Sequence, residues 1–265
     1  MTEKEYRQHP AISRSELWRM HESPEKFKFY RENPPEPTPA LLFGQVVHKL
    51  MLQPETFDDD FAVAPNIDRR TKDGKEAYSA FLTASEGKSI VTPDMYETAQ
   101  SMAQRALQGP FVEKLLSGEK ETPFFWTDED TGIDCKCRVD CLTEIGENLI
   151  IVDYKSCTDA SNDGFMRDAI RFGYHFQAAM YSEGVERNTG RKPLFVFIAQ
   201  EKTEPYSINI FQAEEAFVQY GEDVFRELMG IYHECRTTGV YWGYLGKLSI
   251  VNELCLPSYL VKNSD

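Results

Sequence analysis

The stretch Gly132-Ile133-Asp134-Cys135-Lys136-Cys137-Arg138-Val139-Asp140-Cys141-Leu142-Thr143, with Leu149-Ile150-Ile151-Val152-Asp153-Tyr154-Lys155 soon after it, decides how this chain reads. The first segment alternates. Ile133, Cys135, Cys137, Val139 and Cys141 fall on one face, and Asp134, Lys136, Arg138 and Asp140 on the other, the period of two that a strand requires. The second segment opens as a continuous apolar run, as a strand covered on both faces does. It then turns polar at Asp153 and Lys155, which are two apart and share a side. A turn near Gly146 pairs the two strands and brings Asp140 towards Asp153. Two hard oxygen ligands on adjacent strands suit Mg²⁺, and the same oxygens accept Mn²⁺. A lysine beside them can hold a water or answer charge developing on phosphorus. Three charged groups ending an apolar strand are costly to bury without such a purpose.

Upstream, Ser13 to Tyr30 reads as a helix that Pro24 splits, and Asn33 to Pro39 as a stiff loop. Ala40 to Leu52 is apolar nearly all round and reads as a buried helix. Residues 53–75 read as irregular. Helices are expected near Lys75 to Ser85, Pro93 to Gln108 and Pro110 to Leu116, with Pro93 and Pro110 in first turns. Thr122 to Thr127 is an expected strand, with Glu121 just before it. Downstream the expectation is helices at Asn162 to Phe172 and Tyr174 to Asn188, strands at Leu194 to Gln200 and Tyr206 to Phe211, a long helix from Ala213 to Cys235, and an irregular tail. This order gives an α/β core, a mixed sheet flanked by helices, with a helical N-terminal elaboration. One domain over 1–265 is expected: a mainly helical part at 1–120, the core at 121–236 and a tail at 237–265.

The chain has 265 residues and a net charge of −14, from 43 acidic and 29 basic side chains. That balance argues against a general nucleic-acid coat protein, which binds by displacing counterions with Lys and Arg. It fits an enzyme that gathers carboxylates around a cation. No apolar run is long enough to span a bilayer, so no membrane role is expected. The polar N-terminal stretch lacks a signal core, so the expected location is the cytoplasm and the six cysteines are expected to be reduced. Cys135, Cys137 and Cys141 do not have the spacing of a zinc knuckle and read as buried thiols.

Asp140, twelve intervening residues, then Asp153-Tyr154-Lys155 resembles the motif of the PD-(D/E)xK nuclease superfamily. Three further elements are similar to its RecB-like branch: Gly44-Gln45-Val46-Val47-His48, Gln177-Ala178-Ala179-Met180-Tyr181, and Glu121 ahead of the core. Ile12-Ser13-Arg14-Ser15-Glu16-Leu17 and Trp242-Gly243-Tyr244 extend the likeness to RecE-type exonucleases (exonuclease VIII-like) of phages and prophages. The likeness covers most of the chain from Ser13 and is weakest over Pro54 to Ser89.

The resemblance implies a fold and a role for each residue. His48, Asp140, Asp153 and the backbone carbonyl of Tyr154 are implied as ligands of two Mg²⁺ ions. Lys155 is implied to orient the attacking water, and Glu121 to hold a metal-bound water or steady Lys155. Gln177 and Tyr181 are implied to position the scissile strand. Arg14, Ser13 and Ser15, near a helix start, can receive a 5′ phosphate. The implied activity is 5′-to-3′ digestion of one strand of linear double-stranded DNA, leaving 3′ overhangs for recombination. The implied partners are DNA ends, a RecT-like single-strand annealing protein and further copies of the chain in a ring-shaped trimer or tetramer. The implied setting is the cytoplasm of a bacterial host. A RecB-like nuclease of other polarity or substrate, or a non-catalytic DNA-binding scaffold of this fold, are the alternative readings.

Overall fold

A computed structural model describes residues 1, 3–246 and 254–255. In chain order the elements are α1 (Glu3–Gln8), β1 (Ile12–Ser13), α2 (Arg14–Trp18), α3 (Pro24–Glu32), α4 (Pro39–Leu52), α5 (Phe57–Asp60), β2 (Phe61–Val63), α6 (Lys72–Ala84), β3 (Ser89–Val91), α7 (Pro93–Leu107), α8 (Pro110–Leu115), β4 (Glu119–Thr127), β5 (Asp134–Ile145), β6 (Asn148–Cys157), α9 (Asn162–Arg171), α10 (Tyr174–Thr189), β7 (Leu194–Glu201), β8 (Ile208–Gln212) and α11 (Glu215–Thr238). Prolines open α3, α4, α7 and α8, where a missing N–H costs nothing. Ser23, Thr38 and Thr92 cap the first three of these with their hydroxyls.

The mixed sheet runs β1-β5-β6-β7-β8, and β4 also pairs with β5. β4, β5 and β6 are successively antiparallel, β7 lies parallel to β6, and β8 closes the sheet antiparallel. The β5–β6 turn is a two-residue hairpin, since Ile145 pairs with Asn148. Gly146 takes φ +63° there, as such tight hairpins require.

β4 occupies one edge of β5 from Asp134 to Leu142, so β1 and β6 share the other. β6 pairs with β5 from Cys141 to Ile145, and β1 pairs with it in parallel at Cys135 and Lys136. Between Lys136 and Cys141 that edge has no strand partner, and the sheet forks. Asp140 stands at the crotch of the fork. Continuing the registers by one step places it opposite Glu121 on β4 and Asp153 on β6.

Each face of the sheet has its own core. α10 and α11 cover Phe124, Trp126, Cys135, Cys137, Val139, Phe195 and Phe197, and α2 and α3 join that side through Leu17 and Phe27. α4, α7 and α8 cover Ile150, Val152, Val196 and Ile198 with Val47, Met51, Met102 and Val112.

Several expectations are corrected. Cys141 does not share a face with Cys135, Cys137 and Val139. It lies in the α4/α7/α8 core, with its Sγ 3.6 Å from the Leu115 carbonyl. Phe124 and Trp126 likewise face one core while Lys120 pairs with Cys141. The two strands therefore change faces together at the Glu121/Asp140 step, where Glu121 has φ +55°. That left-handed backbone is unusual for a residue with a side chain. Glu121 itself lies within β4 rather than ahead of it. The polar face of β5 is not all solvated, because Lys136 is buried and donates to the carbonyls of Tyr6 (2.8 Å) and His9 (2.7 Å) at the end of α1. Residues 53–75 are not all irregular: β2 pairs in parallel with β3, a partner 28 residues downstream in sequence. Ile12 and Ser13 form a strand rather than the start of a helix. The tail is described only in part. Its Trp242 carbonyl accepts from the Glu25 amide, and residues 247–253 and 256–265 lie outside the described residues.

Candidate active site at the sheet fork

Four elements converge on the fork from different sides. β5 and β6 supply Asp140, Asp153 and Lys155, α4 brings His48 from one face, and α10 brings Gln177 from the other. His48 sits on the polar margin of an otherwise apolar helix whose Val46, Val47, Leu50 and Met51 are buried. Its Nε2 lies 3.0 Å from Asp140 Oδ2, and its Nδ1 3.4 Å from Glu121 Oε1. Ligand atoms of His48, Glu121 and Asp140 all lie within 4.8 Å of one another. Asp153 faces Lys155 at 2.5 Å and accepts from Gln177 Nε2 at 2.5 Å. The Tyr154 amide donates to Asp140 Oδ2 at 2.8 Å, so β6 still grips β5 at the crotch through a side chain.

The charges are crowded. Burial disfavours a charged His48, yet Asp140, by charge and hydrogen bond, and then Glu121 and Asp153 outweigh it and raise the imidazole pKa to about 9. Burial pushes the Glu121 carboxyl up to about 7, with His48 pulling it back and Asp140 adding to the rise. Burial also raises Asp153, against the opposing pull of Lys155. Asp140 goes the other way: burial would raise it, but His48, Lys155 and the Tyr154 amide together hold it low. Glu121 Oε1 faces His48 Nδ1 at 3.4 Å, and Asp153 Oδ2 faces the Lys155 ammonium at 2.5 Å.

That donor set fits a divalent cation. It combines an imidazole with three carboxylates crowded together away from water, where like charges raise one another's cost and a cation relieves it. His48, Glu121, Asp140 and Asp153 are the side chains that would hold it. The imidazolium ring of His48, one nitrogen towards Glu121 and the other towards Asp140, carries the charge such a cation would replace.

The remaining expected residues are placed unevenly. Tyr181 follows Gln177 by one helical turn and lies within the electrostatic reach of Asp153 and Asp140; burial drives its phenol pKa well up. Ser13 is taken up by Glu16: its hydroxyl and its amide reach Glu16 Oε2 at 2.6 and 3.0 Å, a capping box at the start of α2. Ser15 lies beside it, hydroxyl to hydroxyl at 3.4 Å. Arg14 instead turns inwards. It packs its guanidinium over Trp18 and Phe176, donates to the carbonyls of Phe172 and Gly173, and feels Asp153, Tyr174 and Tyr181. The structure thus gathers His48, Glu121, Asp140, Asp153, Lys155 and Gln177 directly, sets Arg14 and Tyr181 beside them, and leaves Ser13 and Ser15 with α2.

Two participants were not singled out from sequence. Arg138 holds Glu121 Oε2 at 2.7 Å, and its place on the polar face of β5 was the available signal. Tyr174 lies under Lys155, with the ammonium 5.0 Å from its ring centroid. A lone tyrosine at a helix start carries no such signal.

The family model described as a PDDEXK-like domain of unknown function (DUF3799) matches residues 13–253. No curated protein matches the chain. Among solved structures, a crystal structure from Eubacterium rectale described as "Putative exonuclease" is similar with a TM-score of 0.64 and 16% identity, covering 97% of this chain and 96% of that one. At that identity the likeness is one of fold. A second solved structure, described as SSO0001, has a TM-score of 0.32 and 13% identity over 69% of this chain and 84% of that one, and carries no argument. Among the described residues no helix is long and apolar enough to cross a membrane.

Proposed function

This chain belongs to the PDDEXK-like family (DUF3799), and from that premise we propose that the fork is the cleavage centre of a metal-dependent deoxyribonuclease acting on the ends of linear double-stranded DNA. The observation that carries the reading is the convergence of His48, Glu121 and Asp140 on one point, with Asp153 and Lys155 beside them.

When bound, divalent cations would polarise the phosphoryl oxygen and acidify water. The proposed ions are Mg²⁺, two per site, with Mn²⁺ as a substitute. The chain's own residues do the rest. Gln177 fixes the rotamer of Asp153, and Arg138 fixes that of Glu121. Lys155 donates hydrogen bonds to the attacking water or to a phosphoryl oxygen. The Tyr154 amide orients Asp140, and its carbonyl is a further proposed ligand. Arg14, whose buried Nε lacks a partner, is the proposed contact for a phosphate at the strand end. Tyr181 lines the same side.

The resemblance to RecE-type exonucleases supports a finer version. In it the direction is 5′ to 3′, the product is a 3′ overhang, and the setting is phage or prophage recombination in the bacterial cytoplasm. A ring-shaped homo-oligomer and a single-strand annealing protein complete the proposal. Linear duplex labelled at one 5′ or one 3′ end tests it, in Mg²⁺ and in EDTA, beside a closed circle. Early release of the 5′ label in Mg²⁺ only, with the circle intact, is expected. Early release of the 3′ label, or cutting of the circle, would overturn the RecE-type version. No cleavage in any divalent cation would overturn the nuclease.

A further inference from the structure

The turn between α9 and α10 is held with unusual rigidity for an exposed loop. Gly173 has φ +66°, and a Cβ there would lie 2.6 Å from the Trp18 ring, so neither the backbone nor the space admits another residue. Arg14, buried against Trp18 and Phe176, grips the carbonyls of Phe172 and Gly173. The result is to hold a large aromatic in water: Phe172 is 43% exposed. A single exposed apolar residue needs no explanation, but one held out by an arginine clamp and an obligate glycine does.

The Phe172 ring is continuous with the candidate site. Lys155 Nζ lies 5.0 Å from the Tyr174 ring centroid, and that ring lies 6.0 Å from Phe172, tilted by 33°. Beyond it the Arg171 guanidinium lies 5.3 Å from the Phe172 centroid. The sequence of groups from Lys155 outwards is ammonium, half-buried phenol, exposed phenyl, guanidinium. At about 3.4 Å per stacked nucleotide, these steps span a few nucleotides of one strand. An aromatic face beside an arginine is the chemistry that takes unpaired bases and their phosphates, and it does so without regard to sequence. On a chain of net charge −14, a cationic group placed over an exposed ring gives an anionic strand a local counter-charge next to the surface on which its bases would stack.

We propose that Phe172, braced by Gly173 and Arg14 and flanked by Arg171, is a stacking platform for unpaired nucleotides of the strand whose phosphate reaches Lys155. Phe172 is a positioning residue on this account. The inference rests on the nuclease reading of the fork and adds the form of substrate that the site prefers: an end with unpaired nucleotides rather than a flush duplex.

The test uses the full chain in Ca²⁺, which allows binding without turnover, with a fluorescent duplex carrying three unpaired nucleotides. One of these is 2-aminopurine, and 5′ and 3′ extensions are compared with a blunt end. Cleavage in Mg²⁺ is measured in parallel. The expected results are quenching of 2-aminopurine by the wild-type protein and tighter binding of one extended duplex than of the blunt one. Phe172→Ala should weaken that binding about tenfold and abolish the quenching, and Phe172→Trp should restore both. If the wild type cleaves DNA but Phe172→Ala binds and quenches as the wild type does, the platform is overturned and the nuclease stands. The platform is overturned equally if Phe172→Ala instead changes the oligomeric mass, which would make the ring a contact between copies. If the wild type neither cleaves nor binds any of these duplexes, the nuclease reading fails and takes the platform with it.

Discussion

Two polar clusters sit at opposite ends of α10, and both bury carboxylates. At the fork, Asp140, Asp153 and Glu121 meet His48, Lys155 and Arg138. Near the other end, Asp128 and Glu183 meet Arg226, and Arg187 reaches Glu129 and Glu183. A cavity of about 740 Å³ opens beside that second cluster, lined by acidic and basic side chains alike. The difference lies in what answers the acids. In the second cluster it is guanidinium, which never releases its charge, and even Glu183 Oε1, which lacks a hydrogen bond, has an Arg187 nitrogen 4.0 Å away. At the fork, the group between Asp140 and Glu121 is an imidazole, whose proton can be exchanged for a metal ion. Counting buried carboxylates does not separate a metal site from an ion-pair network. Asking whether their partner can leave does.

Substitutions sharpen that contrast, and the largest effect belongs to the fork. Asp153→Ala and Lys155→Ala should each lower the initial rate of duplex cleavage by at least about a thousandfold, with circular dichroism unchanged. Arg187→Ala should leave that rate within about twofold. Equal losses at the two ends would erase the distinction. Next, His48→Ala should raise the Mg²⁺ concentration for half-maximal cleavage by at least about tenfold. An unaltered metal dependence would make His48 a structural histidine.

Stability should respond in the opposite sense. Arg226→Ala leaves Asp128, only 1% exposed, without its cation, and should cost about 2 kcal/mol in denaturant unfolding, since Arg226 itself is partly solvated. Glu121→Gln removes an acid from the crowded fork and should raise Tm in EDTA by a few degrees. A Tm that falls would show that Glu121 is held by attraction rather than tolerated.

The smallest expected effect concerns His175 on α10, whose pKa burial lowers to about 4, with Arg14 adding to the fall. The folded protein therefore resists a proton that the unfolded chain accepts near pH 6.5. Stability contributed by the neutral ring is intact above about pH 6.5 and lost as pH falls towards 4. Thermal melts across that range should fall less steeply for His175→Gln than for the wild type. Parallel curves would remove His175 from the account.

The sheet, the long helices and the core of the site were legible because their signals are local. Alternation along β5, the apolar run into Asp153 and Lys155, and prolines at helix starts all act over a few residues. Where partners lie far apart in sequence, local pattern is silent. β2 and β3 are three residues each and are held by one another across a helix, which no short window reveals. β1 is two residues long and exists because β5 offers it the free side of the fork. The switch of faces at Glu121 and Asp140 was hidden for a related reason. The period of two continues through Cys141, while a left-handed residue on the neighbouring strand turns both strands over. Arg14 was singled out for the start of its helix, yet its geometry is set by Trp18, Phe176 and two carbonyls more than 150 residues away in sequence.

The central claim is that the fork holds a divalent cation through Asp140 and Asp153. Mn²⁺ titration followed by electron paramagnetic resonance, with a linear duplex present, tests it most directly. The expected result is Mn²⁺ bound to the wild type, displaced by excess Mg²⁺, and missing from Asp140→Asn/Asp153→Asn while that variant stays folded. Equal Mn²⁺ binding by the two proteins would contradict it.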